Sequence, residues 1–465
     1  MRRKISFISL VLLIIGSIDN IRNLPSSALF GSASIFFFLL GAVLFLIPTA
    51  LVAAEMTATF PNKGGVYYWI KEALGEKMGF LAVWLQWSNT VVWYPTILSF
   101  IAGSIAYLFT PSLASSPMYI MSVILVLFWV LTAINLLGIH ASTKVNNLCG
   151  LFGTMFPMVV LIGMGIYWVA SGHPIQIGFS AAEILPSVDK SATWVSLISI
   201  MASFLGMELC AVHVGEMDNP QKNYPKAVFL ASFFILGSML FGSLAIAAVL
   251  PTKEINLVAG VLQVFSQLFS AFGVPGFTPA IALLMIMGSF GNMINWINSP
   301  TTGLLHASHD GFLPKAFAKK NRFGAPSRIL LVQAVIVSLI STLYFLVPSI
   351  NSFYWFLTAL TTGLYMLMYI LLFVGALVLH YNHRDRGAFY KIPFGNTGMW
   401  VTCCLGLAGC LMTLIVGFFP PDSLQIASKL DFASLIGSGF VCAIAPVFLL
   451  FYFQKRKEPP VRSRG

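Results

Sequence analysis

The sequence predicts an all-α membrane protein of twelve transmembrane helices, built as two inverted five-helix repeats with helices 1 and 6 broken. Three observations carry this expectation: an extreme composition, a regular series of apolar runs, and polar interruptions in the first and sixth runs. Hydrophobic residues make up 58% of the 465 positions and charged residues 9%, whereas a soluble domain carries about 25% charged residues. One bundle in lipid accounts for that balance better than two or three soluble domains. The net charge of +11 would suit a nucleic-acid binder. The Lys and Arg residues, however, sit in short loops between apolar runs. Their placement points to membrane topology, with the lipid bilayer as partner and no nucleic acid.

The runs fall near 6–27, 34–58, 79–109, 118–138, 147–170, 192–216, 225–250, 276–305, 328–347, 353–380, 398–419 and 434–453. An even number of spans leaves both termini on one side. All of the 26 Lys and Arg residues fall on that side except Lys190, Lys253, Lys429 and the intramembrane Arg22. The positive-inside rule therefore expects both termini in the cytoplasm. Met1-Arg2-Arg3-Lys4 and the apolar stretch behind it imitate a signal peptide. Asp19, Asn20 and Arg22 follow without a small-residue cleavage site, so a retained first helix is expected. Spans one to five (about 6–170) and six to ten (about 192–380) would form the repeats. Spans eleven and twelve (about 398–453) lie outside them, and a short basic tail (454–465) follows.

The first span holds Gly16-Ser17-Ile18-Asp19-Asn20-Ile21-Arg22-Asn23-Leu24-Pro25. Asp19 and Arg22 are three apart, so a continuous helix would pair them on one face. In the sixth span, within the apolar run Trp194 to Val214, Glu208 follows Gly206 by two residues. A carboxylate near the bilayer centre costs about 2.5–3.5 kcal/mol, so it faces a cavity or a partner. Glu208 is thus a candidate proton-sensing group. The alternative is a hydrogen bond to a neighbouring helix, with Gly206 as a packing notch. Two interrupted segments at matching positions are the signature of an inverted-repeat transporter.

The eighth span carries Asn292, Asn295, Ser299 and Thr302, a polar stripe on one helical face with Trp296 beside it. Such a stripe lines an aqueous path or grips a neighbouring helix. Tyr365 and Tyr369 share a face of the tenth span, a spacing that also serves packing. Pro251-Thr252-Lys253-Glu254-Ile255-Asn256 and the apolar stretch to Phe272 read as an external helix. His306, His309 and Asp310, like His380, His383 and Asp385, lack the further ligands a metal site needs. The six cysteines, at 149, 210, 403, 404, 410 and 442, show no paired spacing in a hydrophilic segment. Neither a disulfide framework nor a cofactor is expected. No Gly-rich loop precedes a Lys-Ser/Thr pair, so nothing supports an ATP-driven pump or an enzyme.

Several strings carry a resemblance. They are Ala54-Glu55-Met56 with Pro61, Gly64-Gly65-Val66, Gly206-Met207-Glu208, and His213-Val214 with Glu216-Met217 and Asn219-Pro220. Tyr224-Pro225, Glu254-Ile255-Asn256-Leu257 with Ala259-Gly260-Val261, Leu313-Pro314 and Phe419-Pro420-Pro421-Asp422 belong with them. Over nearly its whole length the chain resembles the amino acid–polyamine–organocation superfamily, and within it the bacterial glutamate/γ-aminobutyrate antiporters. The resemblance implies a LeuT-like fold in the bacterial inner membrane, alternating access, and an amino acid bound between broken helices 1 and 6. Carried over by position, the substrate site would use Asp19, Asn20 and Arg22 with Ser203, Leu205, Gly206 and Glu208. Asn292, Trp296, Tyr365 and Tyr369 would complete it. Where the superfamily has a small Gly/Ser-rich break, this chain has Asp19-Asn20-Ile21-Arg22. Arg22 there would attract an acidic substrate side chain. Only Gln454 to Gly465 follow the last span, too few for the folded tail that plugs some relatives. The alternatives are a proton-coupled amino acid symporter and a non-transporting nutrient receptor.

Overall fold

The computed structural model describes residues 5–60, 65–138, 148–186, 194–345, 349–382, 390–422 and 429–455. Spans 1 to 5 are Phe7–Ala28, Ala33–Thr59, Glu76–Phe109, Pro117–Leu136 and Leu148–Ala170. Span 6 is split into Ser196–Ala202 and Leu209–Glu216. Spans 7 and 8 are Pro220–Val249 and Phe277–His309. Spans 9 to 12 are Ser327–Phe345, Ile350–Asn382, Gly395–Val416 and Leu430–Tyr452. Each lies within a few residues of its apolar run. Prolines open spans 4 and 7 at Pro117 and Pro220, where a missing N–H costs nothing.

Both breaks follow from local chemistry. The first helical segment of span 1 ends at Ile18, and Asp19 and Asn20 turn to extended backbone with ψ 103° and 104°. The Asn20 side chain accepts the Arg22 N–H at 3.4 Å and restarts the chain as a short 3-10 turn. Pro25 follows and cannot donate back to Ile21, so the 3-10 turn does not run on as regular α-helix into Leu24–Ala28. In span 6, Ser199 and Ser203 bond back to the Ser196 and Ser199 carbonyls at 2.9 and 2.8 Å, which loosens the helix. Gly206 then takes φ +108°, a region that favours glycine, and the chain continues as 3-10 helix from Leu209.

The packing has a hidden exchange symmetry. Spans 2 and 7, 3 and 8, and 4 and 9 pack on each other. Span 1 packs on span 7 as span 6 packs on span 2, and span 3 meets span 10 as span 8 meets span 5. Replacing each span by the one five places later therefore leaves these pairings unchanged. Five is odd, so the second set enters from the opposite side: the repeats are inverted. Spans 11 and 12 attach to span 10. The helix Gly260–Ala271 lies between spans 7 and 8. Asn256 caps its approach by accepting the Val258 and Ala259 N–H groups, and Asn351 ties Leu257 and Ile255 to span 10. That explains the Glu-Ile-Asn-Leu string as a structural clasp.

Candidate functional site

The two breaks face each other across a small polar cavity in the middle of the bundle. Span 1 lines it with Ser17, Asn20, Arg22 and Asn23, and span 6 with Ala202 and Leu205. Span 3 adds Asn89 and Trp93, span 8 Trp296, and span 10 Thr358 and Thr361. Arg22 is 5% exposed. Its Nη1 donates to Thr96 Oγ1 at 2.9 Å and to the Tyr354 hydroxyl at 3.1 Å, and its guanidinium lies 4.8 Å from the Trp93 ring centre. Its Nε–H has no partner. The Trp93 and Trp296 rings meet at 5.1 Å and form an aromatic wall beside the cation. The unpartnered Nε–H leaves the guanidinium one donor that an anionic group could take.

Asp19 does not share this setting. A continuous helix would have paired it with Arg22, but the chain breaks at Asp19 itself and its side chain leaves on the other side. Asp19 is wholly buried, with Oδ2 3.0 Å from the Ser238 hydroxyl of span 7 and Oδ1 without a partner. It does not line the cavity. The expected ion pair is replaced by an Arg22–Thr96–Tyr354 arrangement and a separate carboxyl.

Glu208 also sits behind the cavity wall. Its Oε1 accepts from the Tyr365 hydroxyl at 2.5 Å and from Gln86 Nε2 at 3.3 Å, and Oε2 accepts from the Tyr369 hydroxyl. Each hydroxyl in turn accepts an N–H at 3.1 Å, Tyr369 from Gly206 and Tyr365 from Gln86. This closed network fastens the break of span 6 to spans 3 and 10. The Gly206 N–H is therefore used inside the protein. Ser203, turned to the Ser199 carbonyl, is buried away from the lining. Of the expected residues, Asn20, Arg22, Leu205 and Trp296 reach the cavity together, while Glu208, Tyr365 and Tyr369 form the clamp. The side chains of Asn292, Asn295 and Ser299 lie outside the described residues, and Thr302 is exposed.

Span 3 was missed altogether. Gln86, Asn89, Trp93 and Thr96 are spaced by three, four and three, the same rhythm as the stripe noted in span 8. Tyr354, Thr358 and Thr361 extend the tyrosine face of span 10 into the cavity in the same way. The periodic signal was present in both spans.

Two polar clusters lie near the face where span 1 starts. Glu55 of span 2 accepts the Ile392 N–H at 2.7 Å, and its other oxygen lies 2.7 Å from His380 Nδ1. Asp310, just past span 8, meets the Tyr67 hydroxyl and Lys71 Nζ, the latter at 2.8 Å. Burial pushes the Asp310 carboxyl up, but Lys71 and Tyr67 outweigh it and hold it below its ordinary value of 3.8. Of the residues weighed as metal ligands, His380 and Asp310 are engaged in these contacts. His383 and Asp385 lie outside the described residues.

Residues 5–441 match the family model for amino acid permeases. An uncharacterised transporter of Legionella pneumophila is 36% identical over 462 residues, covering 99% of each chain. A glutamate/γ-aminobutyrate antiporter of Lactococcus lactis subsp. lactis is 29% identical, covering 99% of this chain and 93% of its own. A probable agmatine/putrescine antiporter of the same organism is 25% identical, over 90% of this chain and 89% of its own. Twelve spans, two facing helix breaks and a polar cavity between them agree with these matches: the chain belongs to the amino acid permease family.

Proposed function

We propose that this transporter exchanges amino acids across the bacterial cytoplasmic membrane by alternating access, with an acidic amino acid as one exchange partner. Both termini face the cytoplasm in this reading, which the Lys and Arg distribution supports. Arg22 receives the substrate's side-chain carboxylate through its free Nε–H. Asn20 and the backbone at Leu205 hold the α-amino acid group, and Trp93 and Trp296 cover the apolar stem. Glu208, Tyr365 and Tyr369 act as positioning residues that keep span 6 open at Gly206.

The observation that carries this reading is the charge of the cavity: one buried guanidinium, and no carboxylate among the described residues that line it. A diamine or agmatine would be desolvated against a like charge with nothing to neutralise it. The resemblance to the glutamate/γ-aminobutyrate antiporter is therefore the better guide to substrate than the one to the agmatine/putrescine antiporter. Counterflow tests both parts. Proteoliposomes loaded with unlabelled glutamate should take up labelled glutamate, and liposomes without internal amino acid should not. External glutamate and γ-aminobutyrate should compete, and putrescine and agmatine should not. Equal uptake into empty liposomes would favour symport over exchange, and competition by agmatine alone would overturn the acidic-substrate reading. Absence of any uptake would favour a receptor.

A further inference from the structure

We infer that Asp19 is a proton-binding site separate from the substrate cavity, and that it holds a proton in this conformation. The Ser238 hydroxyl lies 3.0 Å from Asp19 Oδ2 and 3.1 Å from the Ile235 carbonyl, one turn back on its own helix. A hydroxyl has one hydrogen and two acceptor sites. Ser238 is placed to donate to either oxygen, and its single hydrogen serves one of them; when it goes to the Ile235 carbonyl, the Asp19 contact is left without a hydrogen from Ser238. The Asp19 contact is then satisfied when the carboxylic acid O–H donates to Ser238 Oγ. Asp19 Oδ1, which has no partner, is in that state a neutral carbonyl oxygen. An unpaired neutral acceptor costs far less than an unpaired buried anion.

Glu208 has the opposite polarity. Each tyrosine hydroxyl accepts one N–H and points its hydrogen at the carboxylate, and Gln86 adds a third donor. No oxygen of Glu208 faces an acceptor there. Two buried carboxyl groups thus separate into an ionised clamp at Glu208 and a proton carrier at Asp19.

Among the described residues, no other charge neutralises Asp19. The titratable groups on the surrounding elements are engaged elsewhere: Arg22 on Thr96 and Tyr354, Glu208 in its clamp, Cys210 at 3.6 Å from Ser17 Oγ. The Tyr224 hydroxyl of span 7 donates to the Met207 carbonyl, and Cys149 of span 5 lies against Gly291. Lys226 precedes Ser238 by about three helical turns. The carboxyl sits at the hinge of span 1, packed on span 7. Any movement that parts these two spans removes the Ser238 acceptor and admits water, and the proton leaves. The proton is therefore bound and released as the carrier changes conformation.

Infrared spectroscopy of the purified protein in lipid nanodiscs reads the proton directly. At neutral pH the C=O stretch of a protonated carboxyl should be present, lost in Asp19→Asn and retained in Glu208→Gln. Survival of the band in Asp19→Asn, or its loss in Glu208→Gln, would overturn the assignment. Ser238→Ala keeps the carboxyl and removes its acceptor, so the band should move to higher frequency; an unmoved band would overturn the pairing. This variant decides the matter if Asp19→Asn does not fold. The role in transport rests on the exchange reading above, whereas the infrared result does not depend on it. In glutamate-loaded proteoliposomes, wild-type exchange should titrate as a single proton, changing about tenfold per pH unit beyond its midpoint. Asp19→Asn should be flat across that range, and a wild-type profile in the variant would overturn the transport role.

Discussion

Substituting Glu208 by Gln tests the clamp that keeps span 6 broken. The side chains are nearly the same volume, so packing is unchanged and the hydrogen-bond polarity alone is altered. Tyr365 and Tyr369 each donate to a different carboxylate oxygen, and each hydroxyl also accepts one N–H. An amide offers one oxygen and one NH2 in place of the two oxygens. One tyrosine hydrogen then loses its acceptor, whether it faces the amide NH2 or turns away from it. The loss is one hydrogen bond to a charged group, about 1.5–3 kcal/mol, plus an unsatisfied buried donor at about 1–3 kcal/mol. The expected destabilisation is about 2.5–6 kcal/mol. Tyr369→Phe strands both Glu208 Oε2 and the Gly206 N–H, for about 2–5 kcal/mol. Tyr365→Phe leaves Gln86 and Glu208 still 3.3 Å apart, so it should cost less, about 1–2 kcal/mol. Denaturant unfolding in mixed micelles, followed by tryptophan fluorescence, measures all three. Wild-type stability in Glu208→Gln, or a larger loss in Tyr365→Phe than in Tyr369→Phe, would refute the clamp.

Gly206→Ala should lower stability by about 1–2 kcal/mol, because a side chain is strained at φ +108°. Its Cβ would also come within 3.1 Å of Leu209 Cδ1 and 3.4 Å of Trp296 Cζ2, so exchange should fall along with the melting temperature. Asp310→Asn should release the helix Val66–Leu74 from span 8, seen as faster amide exchange in that helix. Both groups of the pair are about one-third exposed, so the effect is screened to about 0.5–1 kcal/mol. The Asp310 carboxyl lies below its ordinary value, so its contribution is full above 3.8 and is lost as pH falls through the lowered value. Lys71 is raised, chiefly by its bond to Asp310, so its contribution is full below 10.5 and is lost as pH rises through the raised value. A cysteine at Lys319 should react only with cytoplasmic reagents and one at Lys253 only with external reagents. External labelling at position 319 in sealed cells would reverse the topology.

Much of the fold was legible in the sequence because lipid leaves few options: a backbone in hydrocarbon must be helical, and the apolar runs count the helices. The sites of both breaks were legible too, since Asp19-Asn20 and Gly206 interrupt otherwise apolar runs. Side-chain direction beyond a break was not. The three-residue rule that paired Asp19 with Arg22 holds on a continuous helix, and extended backbone at Asp19 and Asn20 turns the faces apart. Tyr365 and Tyr369 had the spacing of ordinary packing, and only the fold brings Glu208 to them from 157 and 161 residues away. Sequence spacing has no access to such pairings. Span 3 was different: its Gln86–Asn89–Trp93–Thr96 stripe was periodic and could have been read, but no charged residue within it drew attention.

If Arg22 receives the side-chain carboxylate of the substrate, glutamate and glutamine should respond differently to Arg22→Ala. One charge-assisted hydrogen bond is worth about 1.5–3 kcal/mol, or roughly 10- to 150-fold in affinity. Measured by competition against labelled glutamate in counterflow, Arg22→Ala should weaken glutamate by that factor and change glutamine by much less. An equal loss for both would contradict the account, since Arg22 would then serve the bundle through Thr96 and Tyr354 and not the substrate.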